Sequence, residues 1–152
     1  MRTLALSAIA AAMLLAATPA APGASNAHAA RSLSVKDEGS LHLIKSSGSA
    51  LIDEGKAHGT LPGTVKIRFI YNGDPTVTAQ ITIYPHGGGA INASGSGHLS
   101  SPNSATPSFK GAMRITGGSG RYSHAHGDGA IYGIFHRRSY AITVQTEGTL
   151  QY

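Results

Sequence analysis

The densest set of metal-capable side chains in the sequence is the run His124-Ala125-His126-Gly127-Asp128. On an extended segment residues i, i+2 and i+4 share a face, so two imidazoles and a carboxylate could converge there, a combination used by iron and zinc sites. Three ligands from five consecutive residues rarely enclose one ion unaided, and the flanking glycines make a pliant platform. The first reading of His124, His126 and Asp128 is therefore loop residues with no metal, and no cofactor is expected. Acid–base chemistry would need a carboxylate turned into an apolar interior, where burial raises its pKa. Asp53, Glu54 and Glu147 are the acids on expected strands. Glu54 and Glu147 are the catalytic candidates, set against a first reading as solvated strand carboxylates.

Residue types remove other chemistries. The chain has no cysteine, which excludes a thiol nucleophile, a thiolate metal site, a disulfide scaffold and a lipid-anchored Cys. Gly117-Gly118-Ser119-Gly120-Arg121 lacks the Lys-Ser/Thr pair of a phosphate-binding loop. It also lacks the third glycine of a dinucleotide fingerprint, where Ser123 stands, and no helical pattern follows it. No serine occupies G-x-S-x-G, so a hydrolase elbow is unsupported. His136-Arg137-Arg138 reads as a solvated basic turn.

The elements that must position these residues are strands. Alternation with period two dominates the chain from residue 41 onward. In Thr64–Asn72, Val65, Ile67, Phe69 and Tyr71 share one face and Lys66 and Arg68 the other. The turn Asn72-Gly73-Asp74-Pro75 leads to Thr76–Tyr84, where Val77, Ala79, Ile81 and Ile83 share a face, so the two runs read as a hairpin. Leu41–Lys45, Ala50–His58, Gly89–Leu99 and Ser108–Thr116 are further strands, with a polar loop at Ser100–Pro107. A second hairpin, Gly127–Phe135 with Ser139–Leu150, surrounds His136-Arg137-Arg138. About eight short strands with turn chemistry between them predict an all-β antiparallel sandwich or barrel. Glycines inside strands (Gly55, Gly111, Gly133 and Gly148) favour the closed barrel, which needs sharp bends and leaves no exposed edge.

Residues 1–29 read as a cleaved secretory signal: Arg2, an apolar run from Leu4 to Ala17, then Ala27-His28-Ala29, with cleavage after Ala29 or Ala30. That run is too short for a membrane span, which needs about 20 residues. A secreted, extracellular or periplasmic single domain over 30–152 is expected. Without Arg2 the balance is 11 basic against 7 acidic residues. The basic residues are scattered and lack the stripe and stacking aromatics of a nucleic-acid binder, so neither nucleic acid nor a membrane span is expected.

One segment carries a family resemblance. Gly111-Ala112-Met113-Arg114-Ile115-Thr116-Gly117-Gly118-Ser119-Gly120-Arg121-Tyr122-Ser123-His124-Ala125-His126-Gly127-Asp128-Gly129 resembles the G-G-T-G-[RK]-[FY]-x-x-A-x-G segment of the dirigent and allene oxide cyclase-like barrel superfamily. Ser119 stands where Thr is usual, while Arg121, Tyr122, Ala125 and Gly127 match in place. Weaker similarity runs from Gly55-Lys56-Ala57-His58-Gly59-Thr60 to Glu147-Gly148-Thr149-Leu150, and the chain is most similar in kind to small exported bacterial members. The resemblance implies an eight-stranded antiparallel barrel with a central cavity, holding apolar or phenolic small molecules. It places no family catalytic residue on a specific position here. Tyr122 would plug one barrel mouth, its hydroxyl reaching backbone.

The reading placed first is a non-catalytic barrel that binds a small apolar or aromatic molecule, with Phe69, Tyr71, Ile81, Ile83, Met113 and Tyr132 as wall residues. In a filled barrel the same residues would be core. The alternatives are a cyclase or isomerase steering a reactive intermediate with Glu54 or Glu147, and a structural or surface-interaction barrel. Homo-oligomer assembly is a further expectation.

Overall fold

The computed structural model describes residues 30–73 and 75–152, so the expected signal segment 1–29 lies outside the described residues. Eight strands follow one another: β1 (Ser32–Ser47), β2 (Ala50–Gly59), β3 (Gly63–Tyr71), β4 (Thr76–Pro85), β5 (Ala90–Ser100), β6 (Ser108–Ser119), β7 (Gly127–His136) and β8 (Ala141–Gln151). Each pairs antiparallel with its neighbour, and β8 pairs with β1 to close the barrel. A single 3-10 turn at Gly120–Tyr122 interrupts the β structure, and among the described residues no helix is long and apolar enough to cross a membrane.

Alternation becomes inside and outside. Val65, Ile67 and Phe69 on β3, Val77, Ala79, Ile81 and Ile83 on β4, and Phe109, Met113 and Ile115 on β6 are all buried in one continuous core. The expected strand Leu41–Lys45 is the second half of a much longer β1. Its first half was illegible because the inner positions there run Leu33, Val35, Asp37 and Gly39, two aliphatics followed by an acid and a glycine, which breaks the apolar stripe. Register shifts between Leu43 and Lys45 and between Asn92 and Ala93 insert bulges that sharpen local bending. At Gly55 and Gly111 a Cβ would collide with the backbone of Ser40 and of Ser96 across the neighbouring strand, so closure itself requires glycine there.

The two mouths differ. At one, the segment 120–126 folds over the opening, and His126 and Gln151 exchange backbone hydrogen bonds at 2.9 and 2.8 Å. Tyr122 is 1% exposed and packs on Tyr152, with ring centroids 4.8 Å apart. It plugs this mouth, but its hydroxyl takes a side-chain donor rather than backbone: Arg121 Nη2 donates to Tyr122 Oη at 2.7 Å. Leu61 closes the same end, its N–H donating to Asp37 Oδ1 at 2.8 Å. The opposite mouth, formed by the turns after β1, β3, β5 and β7, leads into open space.

Candidate binding site

At the open mouth the interior side chains stop short of filling the barrel. A cavity of about 800 Å³ opens there, with Leu51, Phe69, Leu99 and Phe135 among its walls. Phe69, Phe109 and Phe135 form a cluster with centroids 5.4–5.7 Å apart, two of the three contacts edge-to-face. That arrangement fixes the aromatic wall.

The segment 101–107 forms one side of the mouth, held by Arg137. Arg137 Nε donates to the carbonyl of Ser104 at 3.0 Å and Nη2 donates to that of Pro102. Backbone bonds from Phe135 N to Pro107 O and from Arg137 N to Ala105 O complete the clasp. The expected solvated turn at His136-Arg137-Arg138 therefore contains a structural clamp at Arg137. Tyr140, 67% exposed at the rim, has φ +53, an uncommon conformation for a bulky residue, and its carbonyl accepts a hydrogen bond from Leu43 N at 3.0 Å.

The cavity has one buried acid. Asp53 lines it at 3% exposure, lying in register with Leu43 on β1 and Ile67 on β3, and its Oδ2 has no hydrogen-bond partner. Burial pushes its carboxyl up to about 6, only partly opposed by the positive charge of His42 nearby. Asp37, the other buried acid, lies toward the sealed mouth. Burial raises it too, while the N–H groups of Leu61 and Thr60 hold it down. A void of about 30 Å³ beside Asp37 is lined by Val65, Ile67, Ile81 and Ile83.

Of the expected wall residues, Phe69 and Tyr71 line the cavity, Tyr71 at the rim. Ile81 and Ile83 border the small void instead, and Met113 lies in the core. Tyr132 is on the outside, in register with Lys110 and Gln145, because its neighbours Ile131 and Gly133 take the inward positions. The acids sort by the same parity. Glu54, opposite His42 and Lys66, and Glu147, opposite Lys36, are on the outer face, so neither reaches the lumen. Leu43, Leu51, Leu99, Phe135 and Tyr140 line the cavity without having been expected to. The alternation Ala93-Gly95-Gly97-Leu99 was the available signal for Leu99, which shares the inward parity of that strand.

The histidine run is taken up elsewhere. His126 Nδ1 lies 2.9 Å from the carbonyl of His124 and Nε2 lies 3.0 Å from Gln151 Oε1, while Asp128 pairs with Arg114 at 3.1 Å. Among the described residues no group of three metal-capable side chains is gathered. In comparisons with known proteins, no family model, no curated protein and no solved structure matches this chain.

Proposed function

We propose that this chain is an exported barrel that binds a small apolar or aromatic molecule, without turning it over, in the cavity at its open mouth. One observation carries the reading: about 800 Å³ of space walled by Leu51, Phe69, Leu99 and Phe135 stands open at one mouth while Tyr122 fills the other. Eight-stranded barrels either pack their interior or hold one small ligand. The volume falls within the roughly 300–1,000 Å³ of ordinary small-molecule sites. Export and kinship with the allene oxide cyclase and dirigent-like barrels belong to the same proposal. They are supported by the run Leu4–Ala17 and by the segment Gly111–Gly129. Since β1 begins at Ser32, cleavage after Ala29 or Ala30 would leave every strand intact.

The test is native mass spectrometry of the protein from its own secretion medium, followed by titration with the fluorescent probe N-phenyl-1-naphthylamine. A retained organic mass and saturable probe binding that is lost in Leu99→Trp, which fills the cavity, are expected. Probe binding unaffected by Leu99→Trp, or no binding at all, would overturn the reading. A catalytic reading has one observation in its favour, the Asp53 carboxyl near pH 6 at an apolar floor. In that case Asp53→Asn abolishes conversion of the retained compound while its binding persists.

A further inference from the structure

An apolar occupant alone leaves Asp53 unexplained. A buried carboxylate with an unpartnered oxygen is costly in an apolar interior, and removing its counter-charge costs more still. Among the described residues Asp53 has no salt bridge. The charged and titratable groups around it are turned away or engaged. His42 on β1, Glu54 and Lys56 on β2, and Lys66 and Arg68 on β3 lie on the outer face. Asp37 lies toward the sealed mouth, bonded to Leu61. His136, Tyr71 and Tyr140 line the rim, and the Arg137 guanidinium is occupied by two carbonyl oxygens.

Resting on the cavity-binding reading, we infer that the occupant is a small amine whose protonated nitrogen sits on the Asp53 carboxylate and whose apolar body lies against Phe69 and Phe135. An ammonium group supplies the missing counter-charge and donates to the carboxylate that lines the cavity. Charge-assisted hydrogen bonds of this kind are about twice as strong as neutral ones. A neutral alcohol would satisfy the oxygen but leave the charge uncompensated, and an anionic molecule would be repelled. The raised carboxyl of Asp53 agrees with a site that lacks its cation.

The experiment compares 1-naphthylmethylamine with its neutral isostere 1-naphthylmethanol by titration calorimetry at pH 8 and pH 5. The amine should bind at least about tenfold tighter than the alcohol at pH 8, the scale of one charge-assisted hydrogen bond. The preference should shrink at pH 5, where Asp53 is protonated, and vanish in Asp53→Asn while alcohol binding persists. His136 stands at the rim of the same cavity, so His136→Gln is run in parallel and should keep the pH dependence. Equal affinity for the two probes at pH 8, or a preference surviving Asp53→Asn, overturns the inference and leaves the cavity reading standing. Binding of neither probe overturns both. Should Asp53→Asn misfold, the pH dependence of the unaltered protein and of His136→Gln decides alone.

Discussion

The ring of Phe109 occupies the space that a side chain on Gly133 would need. The two residues are register partners on β6 and β7, and a Cβ built on Gly133 would lie inside the ring's edge. Phe109 in turn meets Phe69 and Phe135, so the glycine sets the position of the whole aromatic wall.

Gly133→Ala should therefore destabilise the barrel by about 1–3 kcal/mol, the usual cost of overpacking a filled core. Because the ring would be displaced toward the lumen, aromatic-probe affinity should fall as well. Urea denaturation checks the first effect and probe titration the second. An unchanged midpoint would mean that the ring is not seated over Gly133.

Asp53 should make the fold less stable as pH rises. Its folded-state pKa, about 6, lies above the ordinary 3.8. The protonated form thus favours folding, and that contribution is present below pH 4 and lost as pH climbs through 6. The full difference is roughly 3 kcal/mol as an upper bound. Asp53→Asn should raise Tm at pH 8 relative to the unaltered protein and show little gain at pH 4. Asp37, raised in the same direction, will leave a residual slope in the variant. Identical pH profiles would mean that Asp53 is solvated.

Arg137→Ala should loosen the segment 101–107 by freeing the carbonyls of Pro102 and Ser104. The stability loss should be modest, about 1 kcal/mol, since exposed hydrogen bonds contribute little net. Local opening should be larger. Amide exchange at Phe135 and Arg137, whose N–H groups bond Pro107 and Ala105, should quicken markedly while exchange in β3 and β4 stays slow. Unchanged exchange at both amides would show that the clasp does not depend on the guanidinium.

Tyr122 separates packing from hydrogen bonding at the sealed mouth. Tyr122→Phe removes only the hydroxyl that Arg121, itself exposed, can replace with water, so a loss of about 1 kcal/mol or less is expected. Tyr122→Ala empties the plug beside Tyr152 and should cost roughly 3–5 kcal/mol. Thermal melts of the two variants should differ accordingly, and equal losses would place the stabilisation in the hydroxyl.

The fold was legible wherever one parity of a strand is wholly apolar. Val65-Ile67-Phe69 and Val77-Ala79-Ile81-Ile83 announce both their strands and their inner faces, since only one register buries them. The site was less legible because its strands have mixed parities. On β2 one face carries Leu51, Asp53 and Ala57 and the other Ile52, Glu54, Lys56 and His58, each with an aliphatic residue and an acid. Local pattern cannot rank Asp53 against Glu54 there, and the neighbours' register decides it. Tyr132 misled for a related reason: with glycines at 129 and 133, the inward parity of β7 looks empty.

By itself the sequence determined the all-β class, the number and order of strands, the turns and the glycines that closure needs. These follow from period-two alternation and from residues whose backbone freedom is local. Only the tertiary structure decided that the mouth opposite the Tyr122 plug stands open, that Arg137 clasps the segment 101–107, and that Asp53 is the acid left facing the lumen. Each of these depends on which side chains arrive together from distant strands, and how much space they leave unfilled is a property of the closed barrel rather than of any segment within it.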